Sequence, residues 1–413
     1  MKDSRRISAC EVCGSDVLEP VLDLGPNPLC DDLVPVGDAR ICAEYPIHIL
    51  LCRRCATAHQ QIQVSKEQLF PRSYHYRARF TADVLAGMDD FVASCARRLG
   101  SLDGKTVLDV GSNDGSLLDR FLPKGAITIG IEPTDACRDS DGHGHAVYQR
   151  YFDLAAAHAV QAAHGAPDIV TFTNVFAHIA DLQCVIAALK AIMSDRTVVV
   201  IENHYLGAIL ARDQFDSFYH EHPRTYSLRS FIPIARKLGR ELAAVEFPSR
   251  YGGNIRVFLG LSAAEPERAA TAEIISGEAE FAGRFADMRA FVDRWRAETR
   301  GRLANLVARH GPLSAKAFPG RAAILLKLLG ADTGTFAEVF EKPGSMKIGH
   351  YVPGTRIPIR SDDDLFARRT PPALLVNLAW HIPEEIKGYL RSRGYRGDIL
   401  QILEPELLGV RGG

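Results

Sequence analysis

Two places in the sequence hold the residues most able to do chemistry. Phe218-Tyr219-His220-Glu221-His222 sets a phenol, two imidazoles and a carboxylate within four consecutive positions. That set suits proton abstraction, because imidazole titrates near neutrality and a carboxylate can orient it. A zinc site or a buried Glu–His pair accounts for the same residue types, so the cluster needs a target before it reads as a site. The second place is Cys10-Glu11-Val12-Cys13 with Cys52-Arg53-Arg54-Cys55. Each CxxC brings two thiolates to one side of a tight turn, and two turns supply the tetrahedral sulfur set that zinc prefers. Four thiolates close the shell, so the metal is expected to be structural. Cys30 and Cys42, between the pairs, are expected as buried thiols.

The elements that position these residues must come from more than one core, since 413 residues exceed what one usually supports. The composition, 46% hydrophobic and 24% charged, is that of a globular protein. A net charge of −1 without a long basic run leaves no footprint for a phosphate backbone, which argues against nucleic acid as a partner. No apolar stretch reaches membrane-spanning length, and Met1-Lys2-Asp3-Ser4-Arg5-Arg6 leads into a cysteine motif instead of an apolar signal core. A cytoplasmic protein with no membrane partner is expected.

In order, residues 1–75 form the zinc module and end at Ser73-Tyr74-His75-Tyr76-Arg77, followed by a helical segment from about 81 to 99. Lys105 to Leu118, KTVLDVGSNDGSLL, reads as a strand, a glycine-bearing turn and a helix, the opening of a doubly wound sheet. Its turn is not GxGxxG. Gly111 and Gly115 with Asp109, Asn113 and Asp114 make an acidic loop, which disfavours a pyrophosphate and suits a cationic ligand. A second strand, Ala126–Glu132, ends in a carboxylate about 20 residues on, where such a domain binds a ribose diol. Loop and acid together indicate an adenosyl ligand, and the acidity selects S-adenosylmethionine over NAD. A strand from Asp168 exits at Asn174 and His178, over the same cleft. Thr197–Asn203 supplies another buried strand, with Asn203 at its end. Tyr251-Gly252-Gly253-Asn254 turns into a strand carrying Arg256, and Asn203, Asn254 and Arg256 are placed as substrate contacts. From about 267 to 309 a helical stripe of Phe281, Phe285, Met288, Phe291, Val292 and Trp295 bridges to a second α/β unit. There, Ser345, Lys347 and His350 in a glycine-bearing loop suit a phosphorylated group.

With the paired CxxC, VLDVGSNDGSLL, NVFAHI, FYHEH, the YGGN turn and HYVPGTRIPI in this order, the chain resembles the sugar C-methyltransferases, which modify nucleotide-linked 4-keto deoxysugars at C3. The resemblance covers nearly the whole chain. It implies an α/β protein in three parts, a zinc-binding module (1–75), a Rossmann-like S-adenosylmethionine domain with bridging helices (76–300) and a C-terminal Rossmann-like domain (301–413), with the sugar nucleotide between them. It matches Tyr219, Glu221 and His222 to the family's YHEH, Asn174 and His178 to the pair after the fourth strand, and Tyr74 or Tyr76 to a linker tyrosine. It favours His222 over His220 as the base, with Glu221 orienting it or a sugar hydroxyl, and Tyr219 or His178 stabilising enolate charge. One departure stands out. Phe318-Pro319-Gly320-Arg321-Ala322-Ala323 replaces a GASxKG-like turn, without its lysine. Methyl transfer to nitrogen or oxygen of another small acceptor, or a non-catalytic sugar-nucleotide binder, are the rival expectations. A monomer or weak homo-oligomer is expected.

Overall fold

The computed structural model describes residues 4–71, 76–249, 253–260 and 265–404. The N-terminal part builds an antiparallel sheet from β1 (Leu18–Pro28), β2 (Glu44–Cys52) and β3 (Ala58–Gln60). One outer member is Arg224–Thr225, which follows the FYHEH stretch after Pro223 and pairs with His59 and Ala58. Helix α1 (Ala82–Leu99) then leads into the central sheet.

That sheet takes β4 (Thr106–Val110), β5 (Ile127–Ile131), β6 (Ala146–Tyr148), β7 (Ile169–Thr173), β8 (Val198–His204), β9 (Leu242–Glu246) and β10 (Asn254–Leu259). The spatial order is β9-β10-β8-β7-β4-β5-β6, parallel from β8 to β6 and antiparallel where β10 meets its neighbours. The chain runs outward from β4 through β6 and returns to β7 on the other side of β4. The crevice at that reversal is where a doubly wound sheet takes its ligand. Strands β4, β7 and β8 are buried nearly throughout, as expected of a parallel sheet covered on both faces. Helix α2 (Leu228–Lys237) opens with a Ser227–Ser230 capping box and packs on one face.

Helix α3 (Phe281–His310) buries the predicted stripe, Phe281, Phe285, Met288, Phe291, Val292 and Trp295. The expected boundary at 300 falls inside this helix. Beyond it lies a five-stranded parallel sheet of β11 (Leu313–Lys316), β12 (Phe336–Glu341), β13 (Ile359–Ser361), β14 (Leu374–Asn377) and β15 (Asp398–Gln401), ordered β13-β12-β11-β14-β15. Its own reversal lies between β11 and β14. The first and last parts of the chain are laced together, because Val34–Pro35 pairs antiparallel with His350–Tyr351 and Arg356 donates to the carbonyls of Asp38, Ala39 and Arg40. Among the described residues no helix is long and apolar enough to cross a membrane.

Candidate active site

The four cysteines converge as their spacing predicts. Cys10 and Cys55 Sγ lie 3.5 Å apart, Cys13 and Cys52 Sγ 3.6 Å, and all four sulfurs lie within 4.8 Å of one another. Zinc–thiolate bonds of about 2.3 Å in a tetrahedron put sulfurs about 3.8 Å apart, so the set fits zinc with no position left for a reactant. His59 Nε2, 3.3 Å from Cys10 Sγ, lies against the thiolates. The cluster is also knitted to the central domain. The Cys55 carbonyl accepts from Ser227 Oγ at 3.0 Å, and Thr57 donates to Ser230 Oγ at 2.8 Å, both at the start of α2.

The loop after β4 is built as glycine demands. Gly111 has φ +74° and a Cβ there would lie 2.5 Å from Val175 Cγ2; Gly115 has φ +80° with Ser140 Cβ 2.6 Å from the same position. Side chains at either site would push the loop off the strand exits. Glu132, directly after β5, accepts from the Asn113 amide through Oε2 at 3.1 Å and from Thr134 through Oε1. Oε2 thereby keeps a lone pair for a ribose hydroxyl, and the cradle fits an adenosyl group. Asp109 is buried beneath the loop, where burial pushes its carboxyl up to about 7 although Thr171 donates to it at 2.7 Å. The two other polar side chains of the loop, Asn113 and Asp114, bond to backbone. Asn113 Oδ1 accepts from the Ala78 amide at 3.0 Å and its Nδ2 donates to the Tyr76 carbonyl at 3.1 Å, while Asp114 accepts from the Arg79 amide at 2.9 Å. They pin the linker from the zinc module across the loop. Tyr76 is exposed in that linker; Tyr74 lies outside the described residues.

FYHEH closes a turn, with the His222 amide donating to the Tyr219 carbonyl at 2.9 Å. The turn separates the two histidines that an extended strand would have aligned. His220 donates from Nε2 to the Tyr45 carbonyl at 3.0 Å, toward the zinc module. His222 donates from Nδ1 to the Ser217 carbonyl at 3.0 Å, so its Nε2 is the bare nitrogen. Its ring lies 4.8 Å from that of His178, 5.8 Å from His204 and 4.2 Å from Tyr219, centroid to centroid. His178 in turn donates Nδ1–H to the Glu221 carbonyl at 2.8 Å. Burial holds His222 well below the ordinary imidazole range, with His178 and His204 adding to the effect, and burial lowers His178 to about 4. Burial and then the Glu221 carboxylate hold the Tyr219 phenol well above its usual value. The turn therefore carries neutral imidazoles beside a protonated phenol.

Three family profiles match in sequence: a zinc binding domain over residues 10–70, a methyltransferase domain over 78–245, and a C-methyltransferase C-terminal domain over 249–398. The C-methyltransferase NovU of Streptomyces niveus is 28% identical over 98% of both chains. With these domains in this order, the chain is an S-adenosylmethionine-dependent C-methyltransferase that carries a zinc-binding domain. Solved structures align more distantly. Magnesium protoporphyrin IX methyltransferase from Synechocystis PCC 6803, holding SAH, is 16% identical over 44% of this chain and 84% of its own, with a TM-score of 0.34. A SAM-dependent methyltransferase from Archaeoglobus fulgidus is 14% identical over 42% and 94%, with a TM-score of 0.35.

The remaining expected contacts of this C-methyltransferase divide. Arg256 is fully buried and bonds Glu202 at 2.7 Å, Glu246 at 2.8 Å and Asp90 at 2.9 Å. Asn254 donates to Glu202 at 3.0 Å and reaches Asn174 Oδ1 at 3.4 Å. Asn254 thereby holds Asn174, whose φ is +55°, at the exit of β7, while Arg256 ties together three carboxylates. Asn203 is 1% exposed and its amide makes no hydrogen bond among the described residues. Lys347 reaches the junction, donating to the Phe318 carbonyl at 2.9 Å beside Asp31, whereas the His350 ring turns to the Ile348 carbonyl at 3.3 Å, and Ser345 accepts from the Lys347 amide.

Several residues of the cleft escaped sequence reasoning. His204 ends β8, beside β7, and its place at the carboxyl end of a parallel strand was signal enough to find it. Trp380 and His381 follow β14 and Arg321 follows β11, so the second sheet turns its own crevice toward the first. Trp380 Nε1 donates to Asp216 Oδ2 at 2.9 Å; Arg321 Nε lies 3.4 Å from the same oxygen and its NH1 donates to Ser217 Oγ at 3.1 Å. Gln60 of the zinc module donates to the Phe218 carbonyl at 2.9 Å. The turn bearing His222 is thus gripped from both sides. In place of the family's lysine, the FPGR turn offers Arg321.

Proposed function

We propose that this C-methyltransferase acts on a nucleotide-linked 4-keto sugar, removing the proton at C3 beside the ketone and placing a methyl on that carbon. The observation that carries the reading is the Nδ1 bond of His222 to the Ser217 carbonyl, which leaves a buried, neutral Nε2 as proton acceptor. A hydrogen next to a ketone is acidic enough for such a base once the enolate oxygen is stabilised. Tyr219, protonated and in ring contact with His222, is the donor for that oxygen; neutral His178 spends its one proton on the Glu221 carbonyl and positions the turn instead. Glu221 orients a sugar hydroxyl. S-adenosylmethionine supplies an electrophilic methyl on sulfur. Asn174, held by Asn254, faces the reacting end of its site, while Gly111, Gly115 and Glu132 hold the adenosyl end. Lys347, with Ser345 beside it, and Arg321 are the cations available to the nucleotide's phosphates or the enolate.

Incubation with S-adenosylmethionine and a set of nucleoside-diphosphate 4-keto-6-deoxysugars tests the reading. The expected result is a product heavier by one CH2, with the new methyl on C3 by NMR. Cofactor binding without turnover on any keto sugar, or a methyl on oxygen or nitrogen, overturns it.

A further inference from the structure

Away from the cleft and from the four cysteines, a second set of ligating side chains converges at the edge of the central sheet. Asp119 lies in the short helix Leu118–Phe121 that follows the adenosyl loop. His143 and His145 lie in the turn before β6. Gly142 (φ +82°) and Gly144 (φ +93°) alternate with the two histidines, and these left-handed positions fold both imidazoles back onto one carboxylate. Asp119 Oδ1 is 3.0 Å from His143 Nδ1 and 3.1 Å from His145 Nε2, and one atom from each residue falls within 4.8 Å of the others.

We propose that Asp119, His143 and His145 form a second divalent-metal site, independent of the zinc cluster. Three observations support it. The two carboxylate–imidazole separations, 3.0 and 3.1 Å, lie near the roughly 3.3 Å expected between donors bound tetrahedrally at about 2.0–2.1 Å. His145 has a fully buried side chain, while those of His143 and Asp119 are 44% and 38% exposed. One rigid ligand is therefore paired with an open side from which an ion enters and water completes the shell. The third is the outer partner of His145: its Nδ1 is 2.7 Å from Oγ1 of Thr128, itself buried in β5. When Nδ1–H is donated to Thr128, a bare Nε2 faces a carboxylate oxygen at 3.1 Å, and a shared cation satisfies both acceptors. Such an outer hydrogen bond is the usual way a metal-ligating histidine is oriented. Two imidazoles and one carboxylate select borderline ions such as Zn2+, Co2+ or Ni2+ over Mg2+ or Ca2+, which take oxygen.

An ion there would bridge the helix after Gly115 to the turn before β6. A Cβ at Gly115 would lie 3.5 Å from His145 Cδ2, so the bridge sits directly behind the adenosyl loop and braces it.

The competing account is that both imidazoles simply donate to Asp119, and stoichiometry separates the two. Tag-free protein with its cysteine-bound zinc in place is titrated with Co2+ and with Zn2+, followed by calorimetry and visible absorption. The expected result is one further equivalent whose cobalt bands lack sulfur-to-metal charge transfer, together with a rise in Tm. His143→Ala, at a half-exposed position, removes that equivalent and the rise. Thr128→Val weakens it about 10- to 100-fold. His164→Ala leaves it unchanged. No uptake beyond the cysteine site, or a second equivalent that survives both His143→Ala and Asp119→Asn, overturns the proposal.

Discussion

His222 donates its Nδ1 proton to the backbone carbonyl of Ser217, 3.0 Å away, and this bond decides which nitrogen can act. A carbonyl can only accept, so the tautomer is fixed by geometry and Nε2 is left without a proton. His220, two residues earlier, spends its Nε2 proton on the Tyr45 carbonyl. Replacing His222 by Ala is therefore expected to lower kcat by about a hundred- to ten-thousand-fold, the range for loss of a general base, with cofactor affinity retained. His220→Ala is expected to keep most of the rate and lose about 1–3 kcal/mol of stability, because it strands a buried carbonyl. Rates and urea unfolding of the two variants check both halves. Equal rate losses would remove the distinction.

The pH dependence follows from the same burial. His222 is held well below 6.5, so it is already in its basic form at neutral pH and loses activity only as pH falls through its lowered value. The acid limb of kcat/KM is expected well below 6.5. Stability moves in the same direction. Burial lowers His220 to about 4, so the unfolded chain takes up the proton first as pH falls. Its contribution is whole above about 6.5 and is lost between there and about 4, on the order of 3 kcal/mol for one such residue. Unfolding curves with zinc in excess at pH 7.5, 6 and 5 separate this loss from the catalytic limb.

Legibility in the sequence followed how local each signal was. Cys10, Cys13, Cys52 and Cys55 were readable because a chelating pair is a matter of spacing, and Gly111, Gly115 and Glu132 because a strand-turn-helix fixes them over a few residues. Arg256 was misplaced for a physical reason. A cation on a strand looks like a ligand contact until its cross-strand neighbour is known, and here Glu202 stands opposite it in register. The acidic loop pointed to the right cofactor, but the backbone partners of Asn113 and Asp114 in the linker lie some 35 residues away in sequence and no local pattern records them. Arg321, Trp380 and His381 become neighbours of Asp216 and Ser217 only when two sheets dock, and no window of sequence records that.

Arg256 offers a direct check of that reassignment. A guanidinium buried among Glu202, Glu246 and Asp90 leaves uncompensated carboxylates when removed. Arg256→Ala is expected to cost about 3–5 kcal/mol of stability. A substrate contact would instead raise KM with the Tm unchanged, so thermal unfolding beside steady-state kinetics distinguishes the roles.

Zinc has no open position, yet its removal is expected to abolish methylation. Gln60 and Tyr45 of the zinc module hold Phe218 and His220, and the Cys55 carbonyl joins the start of α2. Cys52→Ser, or prolonged chelation, should release the ion and loosen the turn bearing His222. Metal analysis with activity and hydrogen exchange over residues 215–225 tests this. Full activity in zinc-free protein would show that the module positions nothing.

Arg321 separates charge from geometry. Its NH1 reaches Ser217 Oγ while its Nε faces Asp216, so the group that holds His222 is itself held from the C-terminal sheet. Lysine keeps the charge and loses the planar fork that serves two acceptors. Arg321→Lys is expected to fold normally, with kcat reduced, KM little changed and the acid limb where it was. Arg321→Met also removes a positive charge that helps to lower His222, so its acid limb should move upward in pH. Identical pH profiles for the two variants would mean that the guanidinium acts on the turn by packing alone, through Trp380, over whose ring it lies at 5.5 Å.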